Sequence, residues 1–482
     1  MGSVVGQLRF ERTALAGGGV MSLGVDVRLK RLSVRNFRCF TECVVDFHPR
    51  LTVFVAENGR GKTAILDAVG IAMSPFVDTL VGLHQAHGFT PADVRLALEA
   101  GGAMNPVFPV SMEAEASFWD ERIAWTRNRK STSTRSLTVT KYRAGCRDIA
   151  EALRAHLTSY AHGDRTDPPV LPAVAFYGTG RLWSEHRLTK MKRTDEPTPM
   201  TRVAGYIDCL SSSSSFRAFT DWYEWMSNAA RSPTARAYPS SERPALLLSA
   251  VREATRSMLA PVGWQDIDWD FNERRLIAEH PEHGRLPLDL LSDGVRNMIA
   301  LVADLAHRCV RLNPHLGDEA PRKTPGVLII DEVDMHLHPR WQQLVIEQLR
   351  KTFPAMQMMV STHSPHVLST VDVSSIRVIA LEGTKGVLRQ PTFQTKGVTS
   401  ADVLAQIMDV YPVPAIEEAK WLEDYRGYIE DGLAESKEAL ALREQLLAHF
   451  TRHHPVMMDC DRLIRFQAFK LRRAERSEGS PS

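Results

Sequence analysis

An apolar run at residues 51–55 leads directly into Ala56-Glu57-Asn58-Gly59-Arg60-Gly61-Lys62-Thr63, and apolar residues resume at Ala64. Strand, glycine-bearing turn, lysine, hydroxyl and helix in this order form a phosphate-binding loop, because backbone N–H groups and a helix N-terminus then face the ligand. Such a loop needs an α/β sheet, with its ligand at the carboxyl end of a strand. Lys62 is expected to reach the β- and γ-phosphates of ATP, and the Thr63 hydroxyl to take one position on Mg²⁺. Asn58, Gly59, Arg60, Gly61 and Ala64 complete the expected cradle. Where the pattern has its first glycine this chain has Ala56, one added methyl group, and Gly59 and Gly61 still let the backbone approach the ligand.

Phosphoryl transfer to water also needs an anchored metal, an aimed water and a stabilised developing charge. The apolar run 327–330 ends in Asp331-Glu332, and the run 356–360 ends in Ser361-Thr362-His363. Asp331 is the candidate metal ligand, and Glu332 the candidate base that orients and deprotonates water. His363 is the candidate contact to the γ-phosphate or to that water. Upstream, Leu291-Ser292-Asp293-Gly294-Val295 leads into a helix whose dipole and N–H groups, at Ser292 and Gly294, suit a γ-phosphate.

A chain of 482 residues is too long for one core and suggests two or three domains. The formal charge of +2 gives no global field that advertises nucleic acid, so any such contact must come from a local patch. The six cysteines are scattered without C-x-x-C units, which argues against a zinc site and for a reduced chain. No apolar run of about eighteen residues and no signal-peptide order stand out, so a cytoplasmic location without a membrane span is expected.

Residues 29–40, 44–47 and 51–55 read as strands, and the helix after the loop is expected to close the first lobe near Pro75. Strands are expected at 110–126 and 137–142 around a polar linker at 127–135, then a helix at 149–159 and a buried strand at 170–176. A basic loop at 190–199 and a serine run at 211–215 precede helices at 216–228 and 245–259. Further helices are expected at 298–312 and 341–351. The tail reads as helical over 416–450 with a break at Gly432. Its last stretch, 462–476, interleaves Arg465, Lys470, Arg472 and Arg473 with Leu463, Phe466 and Phe469; it reads as a partner-docking or nucleic-acid-binding helix or, the favoured expectation, as one that packs its aromatic face and solvates the basic one. The resulting division is a mobile extension (1–24), an N-terminal lobe (25–110), an insertion (111–282), a C-terminal lobe (283–395) and a helical partner-binding region (396–482).

The 291–295 segment resembles the signature motif of ABC-type ATPases, with Asp293 and Val295 where glycine and glutamine are usual. Asn36-Phe37-Arg38 is similar to the start of Rad50-, SMC- and RecF-like ATPases, whose matching arginine touches the nucleotide, so Arg38 is the candidate here. Asp331-Glu332-Val333-Asp334-Met335-His336-Leu337-His338-Pro339 is similar to the overcoming-lysogenization-defect and RecF branch. Tyr177-Gly178-Thr179-Gly180-Arg181-Leu182-Trp183 and residues 393–402 resemble PtuA, the ATPase of Septu and retron-associated antiphage systems. The fold implied is an α/β, ABC-type P-loop ATPase head, a mixed sheet flanked by helices, with a large α+β insertion and a helical C-terminal region. The function implied is an ATPase that uses ATP and Mg²⁺ and associates head to tail as a dimer or higher homo-oligomer, with Ser292 and Gly294 acting in trans. It would control an HNH nuclease like PtuB, with a retron reverse transcriptase and its RNA/DNA, or DNA itself, as further partners. The family's Q-loop glutamine has no clear match in this chain.

Two other readings compete. A RecF- or Rad50-like DNA-repair ATPase predicts DNA-stimulated hydrolysis and a basic groove, and the lack of sustained heptads argues against its long-armed subtypes. A nuclease reading rests on Glu382 with Asp459 and Asp461 as Mg²⁺-binding carboxylates, a spacing that arises readily by chance. His336 and His338 suggest a metal pair but read better as part of a turn.

Overall fold

The computed structural model describes residues 27–82, 88–98, 102–118, 121–131, 138–181, 202–211, 216–233, 238–411 and 413–478. The extension at 1–24, the basic loop at 190–199 and all but the first residue of the serine run lie outside these residues.

Strand β1 (Val27–Phe37) alternates between core and solvent, and the alternation slips at Lys30 and Arg31, where a register shift lets both cations face water. It pairs antiparallel with β2 (Phe40–Asp46) across a turn in which Asn36 and Arg38 take positive φ. β3 (Leu51–Val55), buried at every position, leads through the phosphate loop into helix α1 (Lys62–Val81). β4 (Leu96–Leu98) and β5 (Met104–Pro106) form a small separate hairpin. β6 (Val110–Phe118), β7 (Glu121–Arg129) and β8 (Val139–Ala144) then follow as a meander, with β6 antiparallel to β1.

These three strands were expected in an insertion; instead they extend the same sheet as the phosphate loop, because the buried face of β6 (Val110, Met112, Ala114, Ala116) continues that of β1. The polar linker expected at 127–135 begins inside β7, where Arg127 and Arg129 are buried.

Helix α1 does not end near Pro75 but runs past it to Val81. A proline leaves the carbonyl four residues back without its usual donor. Here Arg127 of β7 donates to that carbonyl, Ile71 O, and to Ser74 Oγ at 2.6 Å, while Trp125 Nε1 donates to Ala72 O at 3.0 Å. Among the described residues α1 is the one helix long and apolar enough, by length and composition, to cross a membrane; Asp67 and Asp78 interrupt its apolar residues, and it is mostly buried, the core helix beneath the sheet.

Helix α2 (Cys146–His162) precedes β9 (Ala173–Tyr177), and α3 (Phe216–Arg231) and α4 (Pro244–Leu259) precede a small sheet of β10 (Asp266–Asp270), β11 (Arg275–His280) and β12 (Gly284–Pro287). Helix α5 (Asp293–Leu312) starts earlier than the expected residue 298, with Ser292 at its N-cap. β13 (Gly326–Ile330), β14 (Met356–Ser361) and the hairpin β15 (Ile376–Glu382) and β16 (Lys385–Arg389) complete the main sheet, in the order β8-β7-β6-β1-β2-β16-β15-β3-β14-β13-β9. From β15 to β9 the strands run parallel, and β3, β14, β13 and β9 are buried at every position, as strands covered on both faces must be. The helix expected at 341–351 is broken into Pro339–Gln342 and Val345–Thr352, with the Gln342 amide donating to Leu337 O at 2.9 Å.

The chain divides into two compact units, Met1–Val403 and Leu404–Ser482. In the second, α6 (Glu417–Glu430), α7 (Lys437–Phe450) and α8 (Pro455–Glu478) close over Tyr425, Ile429, Ala439, Leu446, Met457 and Cys460. The break falls at Gly432, with φ +74°. Phe466 and Phe469 of α8 do not pack as expected: they are 53% and 61% exposed, because the face carrying Met457 and Cys460 is the one turned to the core. All six cysteines are free.

Candidate functional site

The phosphate loop meets the carboxyl ends of β3, β13 and β14, which chain order separates widely and the parallel pairing makes neighbours. Gly59 and Gly61 take φ +77° and +94°, and a Cβ on Gly61 would lie 2.3 Å from Phe40 Cζ, so the tight turn into α1 needs glycine there twice over. Lys62 is 6% exposed, and its Nζ donates to the loop carbonyls Ala56 O at 2.9 Å and Glu57 O at 3.2 Å. Burial lowers the Lys62 pKa against the opposing pull of Asp331, Glu332 and Asp334. Asn58, Gly59 and Arg60 are exposed at the mouth of the loop, the Arg60 side chain paired with Glu57 at 2.8 Å, and Ala64 is buried in the first turn.

Thr63 Oγ1 donates to Asp331 Oδ2 at 2.7 Å, joining the start of α1 to the end of β13. Asp331 is 1% exposed, and its other oxygen, Oδ1, accepts from Ser361 Oγ at the end of β14. The same hydroxyl accepts from Glu332 N at 2.8 Å. Glu332 takes φ +48°, a strained conformation for a residue with a side chain, and the Ser361 contact holds it. Thr362 Oγ1 donates to Asp334 Oδ1 at 2.5 Å, and Ser364 Oγ to Gln342 Oε1 at 2.7 Å. Three hydroxyls around His363 thus each tie β14 to the segment after β13. Burial, then the Lys62 cation, lower the His363 pKa, so its imidazole is neutral at pH 7.

The sequence pointed to Asp331, Glu332 and His363 but not to this hydroxyl ladder, although Ser361, Thr362 and Ser364 at a buried strand's end were its signal. It also missed a buried network joining β9 to α5: Tyr177 OH donates to Asp304 Oδ2 at 2.7 Å, which Arg308 Nε also reaches at 2.8 Å. Tyr177 O in turn accepts from Asp331 N at 2.8 Å, so the network ends at the metal candidate. Polar residues at 304, 307 and 308, within the apolar stretch 298–310 of this helix, were the available signal.

Other candidates fall elsewhere. The Arg38 guanidinium is paired with Asp67 of α1 and, at 2.8 Å, with Asp93; burial opposes but these carboxylates hold its pKa up. Gly294 lies against the turn after β13, where an added Cβ would come within 2.4 Å of His336 O, and Ser292 is exposed at the N-cap of α5. Among the described residues no hydrogen bond or ion pair joins either of them to the phosphate loop. His338 Nδ1 accepts from Arg340 N at 3.3 Å and caps a short helix, while Glu382, Asp459 and Asp461 pair with Arg389, Arg462 and Arg443.

Two AAA-domain family models match, one over residues 31–221 and a second, which carries a type IV toxin–antitoxin description, over 214–369. The Vibrio cholerae protein named retron Vc95 probable ATPase is 24% identical over 467 residues, 88% of this chain and 88% of that one. This chain is an AAA-domain ATPase similar to that retron protein. The Escherichia coli retron Ec83 probable ATPase matches this ATPase at 34% identity over 34% of the chain and 32% of its own length. The Septu protein PtuA of Bacillus thuringiensis matches at 27% over 26% and 33%. The two AAA models together run from 31 to 369, so they span the phosphate loop, Asp331, Glu332 and His363 alike.

Proposed function

We propose that this ATPase is the regulatory subunit of an antiphage defence complex, in which copies of the chain associate head to tail over ATP and control an HNH nuclease like PtuB. The observation that carries the ATP-site assignment is the 2.7 Å contact between Thr63 Oγ1 and Asp331 Oδ2, two hard oxygen donors 268 residues apart in the chain. Hard oxygens at that separation suit Mg²⁺, so Thr63 and Asp331 would hold it. Bound there, the metal would neutralise charge on the β- and γ-phosphates.

The chain's own residues then divide the work. Lys62 leaves its loop carbonyls for the phosphates, and the N–H groups from Asn58 to Ala64 line them. Glu332, its backbone fixed by Ser361, orients the attacking water and takes its proton. Neutral His363 donates one N–H toward the γ-phosphate. Arg38 reaches the nucleotide by exchanging a carboxylate partner for phosphate. Ser292 and Gly294 complete the site of a second copy, a role supported by Leu290, 69% exposed just before them, and by the lack, among the described residues, of a hydrogen bond from either to the phosphate loop of their own chain. The names of the retron and Septu relatives support the defence setting, and in a retron setting the reverse transcriptase with its RNA/DNA joins the complex.

The test is Glu332→Gln with size-exclusion chromatography and a phosphate-release assay. The variant should bind ATP, hydrolyse it at least about a hundredfold more slowly, and elute as a larger species with ATP than without. Undiminished turnover removes Glu332 from its role, and slow turnover with no change in size removes the head-to-tail association.

A further inference from the structure

Helix α8 presents a second surface with chemistry of its own. Met457 and Cys460 face the core of the C-terminal unit, with Leu463 and Ile464 packed against it. The opposite face is open: Met458 is 56% exposed, Phe466 53% and Phe469 61%. Residues 458, 462, 465 and 469 follow a four-three-four spacing, and 462, 466 and 470 step by four, so they form two adjacent rows of one helix face. Those rows interleave the rings and Met458 with exposed Arg462, Arg465 and Lys470. Lys470 Nζ lies 4.8 Å from the Phe466 ring centroid. Of the acidic residues nearby, Asp459 makes a long, exposed pair with Arg462 at 3.9 Å, and Asp461 is paired with Arg443 of α7 at 2.9 Å.

We infer that this face binds single-stranded nucleic acid, with Arg462, Arg465 and Lys470 on phosphates and bases stacked on Phe466 and Phe469. Exposed rings alternating with cations are what a charged strand with aromatic bases needs, since stacking and backbone neutralisation act together and neither requires a sequence. Phe466 and Phe469 are separated by about 4.5 Å of helix rise, wider than the duplex step of about 3.4 Å per strand. The pair therefore fits splayed bases better than a duplex. A lipid surface fits less well, because an in-plane helix needs its broad apolar face for the membrane, and α8 spends that face on its own core. The inference uses no residue of the ATP site.

Fluorescence anisotropy on the full chain tests it, with a labelled mixed-sequence strand of about 16 nucleotides, at about 50 and 200 mM salt. The single strand should bind more tightly than the matching duplex, and affinity should fall with salt. Phe466→Ala with Phe469→Ala should weaken binding at least about tenfold while ATP hydrolysis without nucleic acid stays unchanged. Arg462→Ala with Arg465→Ala should reduce the salt slope by about 1.4, since each phosphate contact to a single strand contributes about 0.7. Lys62→Ala should bind the strand as the parent does, so a failed ATP-site reading shows separately. No binding at low salt, or equal binding after loss of both rings, overturns the inference, as does binding to anionic vesicles without binding to the strand.

Discussion

Ser361 is the residue whose loss separates orientation of the site from nucleotide binding. Its hydroxyl, fully buried at the end of β14, donates to Asp331 Oδ1 and accepts from Glu332 N at 2.8 Å, so one atom holds both the carboxylate oxygen that Thr63 does not reach and the strained backbone of Glu332. Ser361→Ala removes a hydrogen bond to a buried carboxylate, a loss of about 1.5–3 kcal/mol in stability. It leaves Lys62 and its loop untouched. With one of its anchors removed, Asp331 should hold Mg²⁺ about 10- to 100-fold less tightly, the usual effect of losing an outer partner of a metal ligand. Steady-state ATP hydrolysis titrated with Mg²⁺ reads this directly: the half-saturating Mg²⁺ should rise, and Mg²⁺-free ATP binding should not change. Ser361→Thr, which keeps a hydroxyl, should recover part of the effect. A variant with the stability loss but an unchanged Mg²⁺ titration would show that the hydroxyl only supports the fold.

Two further outcomes follow from groups outside the catalytic centre. Burial holds His307 down to about 4, against Asp304, whose Oδ1 is 3.8 Å from Nδ1 and too far to hydrogen-bond. The folded state thus binds this proton less readily than the unfolded chain, so its contribution is intact above about pH 6.5 and is lost as pH falls toward 4. Melting temperature should drop between pH 7 and 5, and His307→Phe, which keeps the ring beside Trp222 at 4.5 Å between centroids, should lessen that drop; an identical pH profile would refute the assignment. Arg127→Met should lower stability in urea by about 1–3 kcal/mol, because Ile71 O, deprived of a backbone donor by Pro75, then keeps only the longer contact from Ser74 Oγ at 3.2 Å; no change would show that this carbonyl is satisfied without the guanidinium.

What the sequence disclosed is what short-range pattern encodes. The buried parallel strands are apolar runs, the phosphate loop is one contiguous segment, and Asp331, Glu332 and His363 sit where those runs stop. Pairing between distant segments was not legible. Nothing near Val110 announces that β6 will lie against Val27–Phe37, so its strands read as an inserted region. Pro75 read as a helix end because the arginine that permits continuation lies far away on β7. Arg38 read as a nucleotide contact, and only the fold shows Asp67 and Asp93 converging on it. Phe466 and Phe469 read as core because aromatic rings usually are, yet the core face of α8 was already filled by Met457 and Cys460.

In the proposed site the phosphate loop holds the nucleotide through Lys62, with Thr63 and Asp331 on the metal. Isothermal titration of ATP into the parent chain and Lys62→Ala, each with and without Mg²⁺, tests it most directly. The account predicts saturable binding by the parent that tightens with Mg²⁺, and a loss of at least about tenfold, some 1.4 kcal/mol, in Lys62→Ala. Equal affinity in the two chains would contradict it.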